Sequence, residues 1–165
     1  MTKNLDKEGL CSIVDNYQLF YVDLWGVVHN GISLHKEAIK ALKEITKKGK
    51  EYILLTNAPR PNNVVKNFLR KMGMDEDILQ HVFTSGEASL SYLKKNLMDK
   101  KFFHVRLPRD IDLFKDFEEM KSNQIEDAEY IICTGLFEQR EEDLKYYKEL
   151  FEKNLKKKMI CTNPD

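Results

Sequence analysis

Leu19-Phe-Tyr-Val-Asp23-Leu-Trp25-Gly26-Val-Val-His29-Asn-Gly31 is the stretch on which the fold turns. A compact apolar run ends in a carboxylate, and Gly26 and Gly31 bracket the loop that follows. The run predicts a buried strand over residues 19–24. In open parallel sheets, ligands bind beyond the C-terminal ends of the strands. Asp23 would therefore project into a site, and the N–H groups of the loop could face a phosphate. Downstream, Glu51-Tyr-Ile-Leu-Leu55 reads as a second buried strand, closed by Thr56-Asn57-Ala58-Pro59-Arg60. A hydroxyl and an amide at that strand end can donate to phosphoryl oxygens. Taken singly, an Asp at a strand end is an ordinary turn former, and Thr-Asn before a proline is an ordinary turn. The two ends joined through one βα unit form a more specific constellation.

The rest of the chain keeps the same alternation. Residues 36–48 place Ala38, Ile39, Leu42 and Ile45 at helical spacing, with Gly49 as a stop. Pro61 suits the first position of a further helix that buries Val64, Val65, Phe68 and Leu69 and closes at Gly73. Then follow a strand over 81–84, a helix capped by Ser85, strands over 102–107 and 129–134, an amphipathic helix over 141–157, and a strand beginning at Met159. At Ser85 the capping-box spacing is not met, because Glu87 lies only two residues on. Residues 5–14 are a short helix candidate, and the polar segment 107–127 has room for another over 113–120. Strands separated by helices imply parallel pairing, hence an α/β fold with a doubly wound parallel sheet.

Composition narrows the function. The 27 basic and 27 acidic residues cancel, which argues against a nucleic-acid binder. The densest basic run, 153–158, ends a helix pattern and reads as a solvated face. No stretch approaches the ~20 apolar residues that span a bilayer, so no membrane partner is expected. The first residues lack the apolar core of a signal peptide. Three cysteines without paired spacing suit a reducing compartment, so a cytoplasmic protein is expected, with Cys133 and Cys161 as buried core thiols. His35, His81 and His104 are scattered and show no metal-ligand spacing.

The two strand ends resemble the first two motifs of the haloacid dehalogenase superfamily: an Asp after an apolar strand with a loop and flap, then a Thr closing the next strand. Thr56-Asn57 and the later Thr162-Asn-Pro-Asp165 are similar to the class IIA capped phosphatase subgroup, which inserts a large α/β cap after the second motif. The resemblance covers nearly the whole chain. It implies a Rossmannoid core over residues 1–97 and part of an inserted α/β cap over 98–165. It further implies Mg²⁺-dependent hydrolysis of a small phosphorylated metabolite, with Asp23 as the nucleophile that becomes an aspartyl-phosphate. Mg²⁺ would bind the Asp23 carboxylate and the backbone carbonyl of Trp25. Thr56, with the N–H groups of Leu24, Trp25 and Asn57, would hold the transferring group.

Trp25 departs from that pattern, because the family usually has a second Asp there to protonate the leaving group and activate water. Trp offers one N–H donor and no base, and general acid–base help is worth ~10²–10⁴-fold. His29 is a candidate for that proton chemistry or a structural histidine of the flap. Arg60 is a candidate contact for an anionic substrate or a solvated residue at a helix start. A response-regulator receiver also carries a strand-end Asp, but it needs an acidic pair near its start, where only Asp15 occurs, and it has no Trp-Gly loop. A catalytically silent homologue that binds a phosphorylated ligand or a partner is the remaining alternative. The resemblance also implies a later Lys and a later acidic strand end. Neither pattern follows Thr56, so a truncated chain with little activity of its own is expected.

Overall fold

A computed structural model describes residues 5–140 and 142–163. Contacts divide the chain into two units, Met1–Thr56 with Lys66–Phe83, and Asn57–Val65 with Thr84–Asp165.

The first unit begins with a short helix α1 (Leu5–Glu8) and two 3₁₀ turns, Leu10–Ser12 and Val14–Asn16. The single helix expected over 5–14 is broken because Gly9 takes φ 70°, a left-handed conformation that a helix cannot contain. Strand β1 (Leu19–Asp23) leads into helix α2 (Lys36–Lys47), which buries Leu42 and Ile45 and stops at Gly49 with φ 69°. Then come β2 (Glu51–Thr56), α3 (Asn62–Lys71), whose residues through Val65 count with the second unit, α4 (Glu76–Leu79) and β3 (Val82–Thr84), whose last residue does too. The strand order is β1-β2-β3, and β1 pairs parallel with β2. Tyr52 and Leu54 on the central strand are buried, as expected. β1 is not: Leu19 and Tyr21 are exposed, because β1 is an edge strand and those side chains lie on a face that the described residues leave uncovered. On α3, Val65 and Leu69 are buried, while Val64 and Phe68 stand exposed.

The second unit contains α5 (Ser85–Asn96), β4 (Phe102–Val105), β5 (Lys121–Ser122), β6 (Tyr130–Cys133), α6 (Leu144–Glu152) and β7 (Lys158–Cys161). Its sheet runs β5-β4-β6-β7 with every pair parallel. Alternate residues of the sheet serve its two faces. Phe102, Tyr130 and Ile132 pack with Leu93 of α5 and with Leu113, Phe114 and Phe117. Val105 and Ile131 pack with Ile125 and with Tyr147 of α6. This is the two-sided burial that a parallel sheet requires.

Three expectations for this unit change. Residues Pro108–Met120 form a run of 3₁₀ turns, kinked at Phe114 and Phe117, rather than a helix over 113–120. The helix expected over 141–157 is the shorter α6, opened by Asp143, whose side chain accepts from the Tyr146 N–H; Leu155 falls past its end and is exposed, and Glu141 lies outside the described residues. Cys161 sits on the edge strand β7 and is exposed, and Cys133 is half-buried, so neither is the fully buried thiol expected.

Candidate active site

Asp23 closes β1, and its ladder partner on β2 is Leu55, so Thr56 lies one step past that pair. The two side chains of the expected motifs thus belong to the C-terminal ends of adjacent parallel strands. Asp23 is exposed, and its Oδ1 accepts the N–H of Leu24 at 2.8 Å. The next residues fold back at once. Leu24 is buried and its carbonyl accepts from the N–H groups of Val28 and His29, at 2.9 and 3.1 Å. The Gly26 N–H donates to the His29 carbonyl at 2.8 Å. Gly26 takes φ 74°, the conformation that lets the chain reverse there without strain. The flap closes through the Asn30 side chain, whose Oδ1 accepts from the N–H groups of Ile32 and Ser33.

Trp25 is 65% exposed, and its ring lies edge-on to His29 with centroids 5.6 Å apart. The far edge of the indole covers Gly31, where an added Cβ would come within 2.8 Å of the ring carbons. Among the described residues, the Trp25 N–H and carbonyl make no protein hydrogen bond. His29, by contrast, is 5% exposed. Its Nδ1 accepts the Gly31 N–H at 3.0 Å, which leaves the proton of the neutral ring on Nε2. The Phe68 ring also lies edge-on to it, with centroids 5.7 Å apart. Burial, with a smaller push from His35, holds its pKa below 6.5 despite the opposing pull of Asp23. This neutral, tethered ring braces the flap.

At Asn57 the chain passes into the second unit, where residues 57–62 are fastened to the start of α5. Ser85 Oγ donates to the carbonyls of Asn57 and Ala58, and the Gly86 N–H donates to Ala58. Thr84 Oγ1 donates to the Arg60 carbonyl and accepts the Glu87 N–H, which makes Thr84 rather than Ser85 the helix cap. Counted from Thr84, the capping-box spacing to Glu87 is met. The return half of the box is rerouted: Asn62 Oδ1 takes the Thr84 N–H, and Glu87 Oε2 takes the Asn62 N–H. Gly86 is required here, because any Cβ would collide with the Arg60 backbone. The Arg60 side chain itself is exposed, and Asn57 Nδ2 donates to Asn163 Oδ1 at 3.3 Å. The Thr84, Gly86 and Asn62 fastening was missed in the sequence, although the Thr-x-x-Glu spacing was there to find it.

With this geometry in view, a family model described as haloacid dehalogenase-like hydrolase matches residues 20–118, more than half of the chain. The chain belongs to that family. No curated protein matches it. Among solved structures, a haloacid dehalogenase-like hydrolase from Brucella suis 1330 is 29% identical with a TM-score of 0.76, covering 100% of this chain and 61% of that one. A 4-nitrophenylphosphatase from Thermotoga maritima is 26% identical with a TM-score of 0.67, covering 93% and 57% respectively. The chain thus spans roughly three fifths of the length of the haloacid dehalogenase-like proteins it matches.

Proposed function

We propose that this chain carries the phosphoryl-accepting part of a Mg²⁺-dependent phosphate monoester hydrolase of the class IIA capped type. Residues 1–97 would belong to the core and 98–165 to part of the cap. The observation that carries the reading is the exposed Asp23 carboxylate at the end of β1, beside the parallel strand that ends in Thr56. The family membership and the phosphatase among its solved relatives support it.

In the proposed reaction, an Asp23 oxygen attacks phosphorus in line. The bond to the leaving oxygen breaks, with its electron pair going to that oxygen. Water then attacks the aspartyl-phosphate, releasing inorganic phosphate and regenerating Asp23. The Trp25 N–H, with Thr56 and the Asn57 N–H, would steady the transferring group. The Leu24 N–H, which already holds Asp23 Oδ1, keeps the nucleophile oriented.

The oxygens present suit Mg²⁺. The Asp23 carboxylate and Trp25 carbonyl are hard donors, and Mg²⁺ commonly binds one or two carboxylates, substrate oxygens and its own waters. When bound, the ion would shield the charge of the phosphate. Among the described residues no group of three or more His, Cys, Asp or Glu stands together, so only part of a metal shell is supplied. Low turnover by residues 1–165 alone is therefore part of the proposal. The substrate class is a small phosphorylated metabolite. A cytoplasmic location is proposed; no helix among the described residues is long and apolar enough to cross a membrane.

Trp25 favours a second reading, a silent homologue that binds a phosphorylated ligand or a partner, because the exposed indole replaces an acid–base group. Assay of 4-nitrophenyl phosphate hydrolysis with Mg²⁺ separates the two. The hydrolase reading expects slow release that Asp23→Asn abolishes. Release equal in wild type and Asp23→Asn would overturn it.

A further inference from the structure

We propose that a cavity of about 450 Å³ in the second unit, walled by His104, Arg106, Lys121, Phe137, Arg140 and Tyr146, binds a small organic anion carrying a flat ring. This goes beyond the reaction at Asp23 and uses no residue of that site.

Position is the first argument. The walls come from the ends of three parallel strands: His104 and Arg106 at the end of β4, Lys121 with Ser122 and Asn123 at β5, and Phe137 to Arg140 just past β6. The C-terminal ends of a parallel sheet are where α/β folds bind ligands, and the volume lies within the range of small-molecule sites.

Charge is the second. Three cations line the cavity against one acid, Glu138. Lys121 and Arg140 pair with Glu118 and Asp143, at 3.1 and 3.3 Å, and both acids are well exposed, so these pairs exchange easily. Arg106 has no ion pair among the described residues; its guanidinium makes a single long contact, 3.5 Å, to the Leu107 carbonyl. A planar guanidinium with unused donors matches a carboxylate or a phosphoryl group.

His104 is 5% exposed; one ring nitrogen, Nε2, is 3.0 Å from Thr134 Oγ1, while Nδ1 has no partner. The rings decide the rest of the ligand. Phe103 and Phe137 meet edge-on at 6.4 Å, Phe137 and Tyr146 at 6.3 Å, and Arg140 lies 4.2 Å over the Tyr146 ring. A flat ring can stack into such a wall beside the cations.

The probe is phenylphosphonate, which no phosphatase can hydrolyse through its phosphorus–carbon bond. Titration into the chain, followed by calorimetry and by the NMR signals of the His104 ring, should show saturable one-to-one binding that moves those signals. Methylphosphonate and benzyl alcohol, each with half of the chemistry, should bind at least about tenfold more weakly. Arg106→Gln and Arg140→Gln should each weaken phenylphosphonate by about tenfold, and Arg106→Lys, which keeps the charge but loses the planar fork, by less. If Arg106→Gln fails to fold by circular dichroism, Arg140→Gln decides. Absence of saturation at millimolar probe, unchanged affinity in the folded Gln variants, or unmoved His104 signals would overturn the proposal. Binding lost in Asp23→Asn would instead assign the probe to the Asp23 site.

Discussion

At the residue scale, Trp25 and its neighbours hold the most information. Trp25 is the protein's one tryptophan, so its fluorescence reports on the loop directly. Its indole rests on Gly31, which takes φ 88°, and an alanine there would meet both a strained backbone and the ring. Gly31→Ala should therefore destabilise the flap by roughly 1–3 kcal/mol, read as a lower urea midpoint and a shifted Trp25 emission. An unchanged midpoint and spectrum would mean that the indole does not rest on Gly31. Trp25→Asp tests the missing acid–base group. Because the indole is largely exposed, little core packing is lost, and the new carboxylate would stand at the loop position where the family pattern has one. If breakdown of the aspartyl-phosphate limits turnover, the variant should hydrolyse 4-nitrophenyl phosphate faster. A folded variant with an equal or lower rate would show that water activation is not the step that Trp25 impairs.

Two devices operate at the element scale. The first is the cap of α5, where Thr84 joins the helix start to the 57–62 loop. Thr84→Val keeps the shape but removes both side-chain hydrogen bonds, so it should cost about 1–2 kcal/mol. Hydrogen exchange should show the amides of Glu87 and the 57–62 loop opening more readily; unaltered protection of that loop would contradict the fastening. The second is His104 on β4, whose pKa burial drives from 6.5 down to about 3, with Arg106 and Lys121 adding to the effect. The sign follows from linkage. Above pH 6.5 neither the folded nor the unfolded histidine is charged, and the contribution is fully present. As the pH falls from about 6.5 towards 3, only the unfolded state takes up the proton, and stability is lost, on the order of a few kcal/mol. His104→Gln should flatten that part of the pH–stability curve relative to wild type, measured by urea unfolding. Parallel curves would show that His104 is not the titrating group.

The elements also show what the sequence could reveal. The strand-end places of Asp23 and Thr56 and the burial of Leu54 were legible because two apolar runs, each closed by a polar residue, are joined through one βα unit, and α2 because its period is clear. The exposure of β1 was not legible: an apolar run implies a buried strand, but burial depends on what covers the sheet. The 3₁₀ run over Pro108–Met120 was hidden for a different reason, since Phe114 and Phe117 take up kinked conformations that tertiary packing selects. The cap was misplaced by one residue because Ser85 is as good a capping residue as Thr84, and only the folded backbone chooses between them. The phosphate-contact roles came from resemblance, and the cavity beyond β4, β5 and β6 needed the strand ends brought together.

At the scale of the whole molecule, the protein is a haloacid dehalogenase-like chain of balanced charge, with two parallel sheets in two units and an exposed strand-end carboxylate in the first. The central claim is that this carboxylate accepts the phosphoryl group. It is tested most directly by incubating the chain with 4-nitrophenyl phosphate and saturating Mg²⁺, quenching in acid and reducing with borohydride, which converts an aspartyl-phosphate to homoserine. Mass spectrometry should then find homoserine at position 23 in the wild type and none in Asp23→Asn. Homoserine at another aspartate, or none at position 23, would contradict the account.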